Sequence, residues 1–420
     1  MSVKKLGRGV AVVGAGMSKF GAFPGKSSRD LFVDAFQELR ASVDKGFNPK
    51  DIEAFYLGNF SADLFEGQAH LAPIVANWIG LSPIPAVRLE GACASSSVAL
   101  RDAILAIASG AYDMVLVGGV EKMTDLPIAK VTDTLATAAD VTYEVAAGYT
   151  FPGFYASMAV AYMDKYGATP ETFMKVGFKN HENGALNEKA QFGARIADVM
   201  ESKKRRAEKK GRPIPTWESE MDFLKDNRAN PMIAWPMRLF DCSPVSDGAA
   251  TLLLVSEDIA TQFTDDPLYI IGSGAASDGA LHSRQTITSI PAAKIAAAKA
   301  YEMAGVTADD IKVAEVHDCF TVAEVMASED LGFFAPGKGG AAAEAGETAR
   351  DGSHPINTSG GLKSKGHPVG ASGVGQVLEI WKQLRGVAGE RQLSGDINLG
   401  LTHNVGGTGQ TCLVHIFERR

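Results

Sequence analysis

The chain has few cysteines, no long apolar run and no basic excess, and each absence excludes a class of protein. Its 420 residues contain four cysteines, none of them in a metal-type C-x-x-C pair: Cys93, Cys242, Cys319 and Cys412. So sparse a set does not build a disulfide framework, and we expect free thiols in a reducing compartment, with the cytoplasm as the default. The apolar runs fall well short of the about 18 residues of a membrane span. With 41 Lys and Arg against 49 Asp and Glu, the net charge of −8 argues against a nucleic-acid partner.

Glycine, by contrast, is abundant, and short strands alternate with helices along the chain. The 45 glycines imply many positions that turn sharply or approach another group closely. Because β-branched runs alternate with alanine-rich stretches, we expect an α/β fold. Strands are predicted at residues 10–13, 54–57, 86–89, 114–117, 268–271, 313–316, 397–401 and 412–417. Helices are predicted at residues 28–45, 95–109, 292–304, 321–331 and 375–384.

The beginning and the end of the chain share a pattern. Both open with an apolar strand that leads into G-x-G, at residues 14–16 and 272–274, and both later run strand–cysteine–helix. This similarity suggests a duplication. Lys19 stands where a dinucleotide fingerprint needs its third glycine, so residues 14–16 are interpreted as a tight turn and a nicotinamide cofactor is not expected.

The middle of the chain, residues 121–240, has a different texture and is interpreted as an inserted lobe that covers a site built by the two halves. Its basic run at residues 203–210 is either a solvated helix face or a surface that attracts a phosphate-bearing substrate. Four aromatic residues either line a pocket for an acyl group or form the core of the lobe: Phe151, Phe154, Tyr155 and Trp235.

Cys93 is the first candidate for chemistry, because it lies between a predicted strand and a predicted helix, in Gly-Ala-Cys-Ala-Ser-Ser-Ser (residues 91–97). A thiol at a helix N-terminus faces the positive end of the dipole, so we expect its pKa to fall below the free value of about 8.5. The backbone N–H groups there could also stabilise an oxyanion on an acylated sulfur. The alternative is a small buried core cysteine.

Histidines mark two more segments. In Glu-Val-His-Asp-Cys-Phe (residues 315–320), His317 and Cys319 are two residues apart and could face one cavity; a metal half-site or a hydrogen-bonded core histidine would give the same pattern. His367 lies in the glycine-rich loop at residues 360–373, where it could take the proton from a thiol. A purely structural glycine loop is the alternative.

The last candidate segment is Thr-His-Asn-Val-Gly-Gly-Thr-Gly at residues 402–409, which follows a predicted strand. Its backbone N–H groups could bind an oxyanion, and a simple turn explains it equally well.

Taken together, the segments around Cys93, His317, His367 and His403 resemble the thiolase superfamily in order and approximate position, over essentially the whole chain. The common thiolases carry Asn-Glu-Ala-Phe where this chain has His-Asp-Cys-Phe, and a second cysteine where it has Asn404. The sequence is therefore most similar to the sterol-carrier-protein-type thiolases and the related bacterial and archaeal acetyl-CoA acetyltransferases.

The resemblance implies a fold and a division of the chain. Two duplicated βαβαβ halves would form a five-layered α-β-α-β-α core with an inserted loop domain. The N-terminal half would comprise residues 1–120 and 241–267, the loop domain residues 121–240, and the C-terminal half residues 268–420.

It also implies roles for particular residues. Cys93 would accept the acyl group and His367 would activate it, while Cys319 would move a proton at Cα of the second thioester. His317 would donate to the enolate oxygen. The oxyanion hole would use the backbone N–H groups of Cys93 and Gly406, with His403 beside it. Ser243 would lie close to coenzyme A. No metal and no redox cofactor is required, since coenzyme A is substrate and product.

Two alternatives stay open. A ketosynthase-like condensing enzyme would use Cys93, His317 and His367 but would leave Cys319 without a task, because decarboxylation generates its carbanion. The second alternative is a subunit that is active only in a complex. Relatives with this C-terminal segment often accompany a small zinc-ribbon/OB-fold protein. Family members are homodimers or homotetramers, so a homo-oligomer acting on acyl-CoA substrates is expected. The acyl chain and the direction of the reaction are not determined.

Overall fold

The structure, a computed structural model, describes residues 5–420; the first four residues of the predicted N-terminal half lie outside it. The strands are β1 (Val10–Met17), β2 (Ala54–Gly58), β3 (Ala86–Leu89), β4 (Met114–Glu121), β5 (Met232–Ala234), β6 (Met237–Arg238), β7 (Gly248–Ser256), β8 (Leu268–Ser277), β9 (Val313–Glu315), β10 (Leu399–Gly406) and β11 (Thr411–Arg419). The helices are α1 (Ser28–Ser42), α2 (Ala62–Phe65), α3 (Leu71–Trp78), α4 (Ser95–Ala108), α5 (Ile128–Ala136), α6 (Phe151–Tyr166), α7 (Pro170–Gly184), α8 (Ile196–Lys209), α9 (Glu220–Lys225), α10 (Pro291–Ala304), α11 (Thr321–Asp330), α12 (Gly339–Glu344), α13 (Gly361–Lys365) and α14 (Ser372–Leu384). Across residues 5–420, no helix has both the length and the apolar character needed to cross a membrane.

Nine strands form one mixed sheet in the order β3-β2-β4-β7-β1-β8-β11-β10-β9. In the first half, β2 is parallel to β3 and β4, and β7 is antiparallel to β4 and β1. In the second half, β10 is parallel to β9, and β11 is antiparallel to β10 and β8. Outward from the centre, β1-β7-β4-β2 therefore repeats as β8-β11-β10-β9. Where the first half adds β3, the second has a parallel bridge between Ala314 and Ile356. This repeat confirms the predicted duplication.

The two half-sheets meet at their edges. β1 and β8 pair antiparallel over only two positions, Ala11 with Tyr269 and Val12 with Leu268. This short seam makes one continuous sheet out of two similar ones.

Alternate residues of the strands face different helix layers, as the period of two in a strand requires. In β1, Ala11 and Val13 pack with α1 and α3, whereas Val10 and Val12 face α4 and α14. The second half packs its other face on α10 and α11. The result is the expected α-β-α-β-α layering, with α4 and α14 in the central layer.

The N-terminal turns of the two central helices touch, which brings the segments before them together. The Val374 N–H donates to Ser96 Oγ at 3.1 Å. A Cβ built on Gly373 would lie 2.2 Å from Ser97 Oγ, so this approach requires glycine. Small residues at both helix starts thus place Cys93 and His367 at one end of the core.

The interpretation of residues 14–16 as a tight turn is wrong. Residues 14–16 lie inside β1 and residues 272–274 lie inside β8. A Cβ on Gly16 would lie 2.2 Å from Ala35 O, and one on Gly274 would lie 1.8 Å from Ala296 O. The glycines therefore serve the close packing of a helix backbone on a strand, in equivalent places of the two halves.

The predicted lobe contains α5–α9 and the hairpin β5–β6. Its helices α6 and α7 pack against α11 of the C-terminal half. Of the four aromatic residues, Phe154 and Tyr155 are buried in the core, Phe151 lines the cavity described below, and Trp235 is 58% exposed.

The basic run lies on α8, where two of its members have partners. Lys203 donates to the backbone oxygen of Ala229 at 2.8 Å and lies over the Phe223 ring. Lys204 pairs with Glu201 at 3.0 Å, one helical turn away. This local pairing favours the solvated-face interpretation of the run.

Candidate active site

Cys93 lies in a single 3₁₀ turn, Ala92–Ala94, that leads directly into α4. The preceding Ala92 has a positive φ of 52°, an uncommon conformation for a residue with a side chain. Cys93 itself is 8% exposed. The chain therefore makes a sharp corner that presents the sulfur at the start of the central helix.

Burial raises the pKa of the Cys93 thiol to about 12, and the charge of Glu121 acts in the same direction. The backbone N–H groups of Gly407 and of Cys93 itself oppose this rise but do not cancel it. The expectation that the helix dipole lowers this pKa is therefore wrong. The cost of burying the thiolate exceeds the gain from these backbone N–H groups, so the thiol is neutral and needs a base.

His367 is held with one ring nitrogen free. Its Nδ1 lies 2.7 Å from Ser372 Oγ, and that hydroxyl donates to the backbone oxygen of Pro368 at 2.9 Å. Since the hydroxyl has only one proton, it must accept from Nδ1–H, which leaves Nε2 as the unprotonated nitrogen. Nε2 is buried and has no hydrogen-bond partner in the structure.

Burial, and then the charge of Lys365, lowers the pKa of His367 to about 3. The imidazole is therefore neutral at physiological pH and can accept a proton. Its backbone N–H donates to Ser246 Oγ at 2.8 Å, so the segment that returns from the lobe fixes the loop.

The sulfur of Cys93 and a ring nitrogen of each of His317 and His367 all lie within 4.8 Å of one another. The two imidazoles meet edge to face, with ring centroids 5.1 Å apart. The Asn404 amide donates to His317 Nδ1 at 3.0 Å, so His317 carries its proton on Nε2. One imidazole thus offers a lone pair and the other an N–H donor.

Cys319 follows β9 and is 6% exposed. Burial raises the pKa of its thiol well above the usual value, and Cys93 adds to the rise, while the Tyr155 hydroxyl opposes it. The N–H of Ser243 donates to the Cys319 backbone oxygen at 2.9 Å. This bond places the predicted coenzyme A-binding serine beside the second cysteine.

Asp318, between His317 and Cys319, holds the histidine loop in place. Its carboxylate accepts from the backbone N–H groups of Leu362 and Lys363, at 2.6 and 3.2 Å. A Cβ on Gly361 would lie 2.2 Å from the same carboxylate. No role was predicted for Asp318; its position between His317 and Cys319, and the glycine loop later in the chain, were the signals in the sequence that could have indicated one.

The two cysteines and His367 border one cavity of about 170 Å³, which His317 does not line. Its reactive end is formed by Cys93, Cys319, His367 and Gly407. Ser243 and Cys242 line it as well, and its other wall is apolar, with Met123, Ile128, Leu135, Phe151 and Val369.

The glycine turn after β10 lies against Cys93. The N–H that reaches the Cys93 sulfur belongs to Gly407, one residue beyond the predicted Gly406. Gly406 packs on Gly91, whose oxygen lies 2.2 Å from the place of a Cβ. His403 is buried near this turn but does not line the cavity, and burial lowers its pKa to about 4.

The strand–cysteine–helix pattern of the two halves does not reflect equivalent positions. Cys93 follows β3 and precedes α4, whereas Cys319 follows β9, the counterpart of β2. The counterpart of Cys93, in front of α14, is His367. The similarity between the two cysteine corners is therefore coincidental, although the duplication is real.

Family models match both halves of the chain. The model described as "Thiolase, N-terminal domain" matches residues 10–258, and the one described as "Thiolase C-terminal domain-like" matches residues 273–419.

Relatives cover nearly the whole chain. An acetyl-CoA acetyltransferase of Methanothermobacter thermautotrophicus is 45% identical over 98% of this chain and all of its own length. Sterol carrier protein 2 of Bos taurus is 33% identical over 94% of this chain and 70% of its own length. A solved structure entitled "Ltp2-ChsH2(DUF35) aldolase" superposes with a TM-score of 0.77 and 25% identity, over 100% of this chain and 99% of the other.

Proposed function

The chain belongs to the thiolase family, and on this premise we propose that it transfers acetyl groups between coenzyme A thioesters by reversible formation and cleavage of 3-ketoacyl-CoA. The observation that carries the proposal is the meeting of Cys93, His317 and His367 within 4.8 Å, with Cys319 on the same cavity. A nucleophile, its base, an N–H donor and a second thiol are the groups such a reaction needs.

In the first half-reaction, Cys93 Sγ attacks the thioester carbonyl of acetyl-CoA. Its proton passes to His367 Nε2, which is neutral and has no other partner. The bond between the carbonyl carbon and the coenzyme A sulfur breaks, and the departing thiolate takes the proton of Cys319. The products are acetyl-Cys93, free coenzyme A and a Cys319 thiolate.

In the second half-reaction, the Cys319 thiolate removes a proton from Cα of another acyl-CoA. The resulting enolate attacks the carbonyl of acetyl-Cys93, a carbon–carbon bond forms and the bond to sulfur breaks. His367 then returns its proton to Cys93. Thiolysis runs through the same steps in reverse.

Two sets of donors would stabilise the charge that develops in these steps. The enolate oxygen would bind His317 Nε2–H, whose buried nitrogen lacks a partner in the structure. The acyl-enzyme oxyanion would bind the backbone N–H of Cys93 and the turn at Gly406 and Gly407, with His403 in support behind it. Such preorganised donors gain strength in a site from which water is excluded.

The cavity favours short acyl groups. Its volume of about 170 Å³ accommodates a small acyl chain against the apolar wall, which Met123, Leu135 and Phe151 help to form. Ser243 lines the same cavity and would lie along the coenzyme A arm.

We propose further that the enzyme works without a metal or redox cofactor, in the cytoplasm, as a homodimer or homotetramer. The family resemblance supports the oligomer, and the sparse cysteines support the reducing compartment.

The decisive test is coenzyme A-dependent cleavage of acetoacetyl-CoA by the purified chain alone, followed as the loss of the magnesium–enolate absorbance. We expect cleavage, and acetylation of Cys93 by acetyl-CoA in intact-mass spectra. Absence of both would contradict the proposal.

A second candidate is a subunit that acts only with a small zinc-ribbon/OB-fold partner. The similarity to the chain of an "Ltp2-ChsH2(DUF35) aldolase" favours it. Acetylation of Cys93 without cleavage would support this candidate, and activity would then depend on adding the partner.

A further inference from the structure

Tyr155 is a fully buried polar residue that the proposed mechanism does not use. It lies on α6 of the inserted lobe, is 0% exposed, and stacks on Phe320 with ring centroids 4.6 Å apart. Phe320 directly follows Cys319, so the aromatic pair joins the lobe to the corner that carries the second thiol.

The hydroxyl of Tyr155 has two neighbours, and both belong to the site. It donates to the backbone oxygen of Gly407 at 3.2 Å. It also lies close enough to the Cys319 thiol to act against the rise in the pKa of that thiol. Gly407 in turn directs its own N–H at the sulfur of Cys93. One phenol therefore contacts the second cysteine and the turn that supports the first.

We propose that Tyr155 is a positioning residue that orients the Cys319 thiol and stabilises its thiolate during proton transfer at Cα. The inference rests on the proposed thiolase function and adds to it a residue from the lobe, outside the two duplicated halves.

The single proton of the phenol has two possible acceptors. While Cys319 is a thiol, the phenol donates to Gly407 O and its oxygen can accept the S–H proton. When Cys319 has protonated the departing coenzyme A, the phenol can turn its proton toward the thiolate. A hydrogen bond to a charged acceptor is stronger than one to a neutral acceptor, so this rotation favours the thiolate form.

A second structural feature fits this arrangement. Gly407 has a φ of +64°, and a Cβ there would lie 2.3 Å from Gln410 Oε1. The left-handed conformation at Gly407 thus suits glycine and forms the turn whose carbonyl accepts the hydrogen bond of the phenol.

The test is Tyr155→Phe, which keeps the stacking on Phe320 and removes only the hydroxyl. Two rates are measured with acetyl-CoA: acetylation of Cys93 by intact mass, and exchange of the Cα hydrogens with deuterated water by mass spectrometry. We expect exchange to slow by about 10- to 100-fold, because a hydrogen bond to a charged sulfur is lost. Acetylation should change by less than about threefold, since the N–H of Gly407 remains.

Tyr162→Phe is the matched control. Tyr162 lies on the same helix, is equally buried, and donates to Glu329, away from the cavity. If both variants lose exchange and acetylation together, the role of Tyr155 is only structural and the inference fails. If Tyr155→Phe exchanges the Cα hydrogens at the wild-type rate, this inference is overturned but the proposed function is not. A wild-type protein that neither exchanges nor becomes acetylated overturns the proposed function, and this inference with it.

Discussion

The two halves of the core have the same strand order but use equivalent corners differently. In the first half, the corner after β2 is held by hydrogen bonds. The N–H groups of Phe60 and Ser61 donate to the buried carboxylate of Glu121. After β9, the second half carries His317, Asp318 and Cys319 at the same place. In front of the central helices, the first half has Cys93, the proposed nucleophile, and the second half has His367, its proposed base.

The difference shows how a duplicated scaffold acquires a reaction. Both halves direct the same set of corners toward one end of the central layer, so groups from either half can meet there. Of the four proposed reacting groups, only the nucleophile would come from the first half, whose corner after β2 holds structural hydrogen bonds. The second half would supply the base, the N–H donor and the second thiol. The asymmetry itself can therefore be tested residue by residue.

The largest effect is expected from Cys93→Ala, which removes the proposed nucleophile of the first half. Acetyl-CoA should no longer form a covalent adduct, and turnover should fall by about 10⁴-fold or more. Intact mass and the cleavage assay measure the two outcomes. Cys412→Ala, a buried cysteine of β11 outside the cavity, is the control and should remain active. An adduct that persists in Cys93→Ala would assign the nucleophile elsewhere.

Cys319→Ala distinguishes the contribution of the second thiol, in the second half, from that of the nucleophile, in the first half. Cys93 should still become acetylated, because its base His367 is intact, but turnover should fall by about 10²- to 10⁴-fold for want of proton transfer at Cα. Rapid-quench measurement of the adduct and steady-state cleavage give the comparison. Normal turnover would instead favour a ketosynthase-like reaction, in which this thiol has no task.

A smaller difference is expected in the response to acid. Burial lowers the pKa of His367 and His415 to about 3 and that of His403 to about 4. All three lie in the C-terminal half, whereas the one histidine of the N-terminal half, His70, is exposed in the described structure. A folded-state pKa below the unfolded value of about 6.5 means that the contribution to stability is complete above pH 6.5, is lost progressively as pH falls, and is gone once pH has passed below the folded pKa.

At pH 5 each such histidine should cost about 2 kcal/mol. Hydrogen exchange, corrected for the intrinsic rate, should show the C-terminal half losing protection before the N-terminal half. His415→Gln should move this acid transition to lower pH. Simultaneous loss in both halves would show that the halves unfold as one unit.

The smallest effects should be equal in the two halves. Gly16→Ala and Gly274→Ala would each push a methyl group into the backbone of the covering helix, 2.2 and 1.8 Å from a carbonyl oxygen. Each should lower the free energy of unfolding by about 1–3 kcal/mol, measured by chemical denaturation. Gly153→Ala, at a helix position with room for a Cβ, should instead be neutral or stabilising by up to about 1 kcal/mol. Clearly unequal losses would show that the two packing sites are not equivalent.

The fold and the reactive side chains could be predicted because their signals are local. A cysteine or histidine that follows a predicted strand and is flanked by small residues can be recognised from the sequence. Cys93, Cys319 and His367 lie close together in the structure, as predicted. Burial is not local, so the pKa of Cys93 was predicted in the wrong direction. The predicted tight turn at residues 14–16 was wrong because the helix α1, whose close packing requires glycine there, comes from a later segment of the chain.

The hydrogen bonds that Tyr155 and Asn404 make at the site were not predicted, for a similar reason. Each bond joins residues that lie far apart in the chain, Tyr155 with Gly407 and Asn404 with His317. An aromatic residue in a helical lobe is usually core, and Tyr155 is core as well. Only its hydroxyl distinguishes it from its neighbours.

The two-position seam between β1 and β8 bears on the ancestry of the chain. A gene that encoded one half would have left β1 as an open edge, and an open edge invites pairing with another copy. Two identical copies joined in this way would already have placed two equivalent corners side by side. Fusion of two such copies would make their sequences independent, so that one corner could carry a thiol and the other an imidazole.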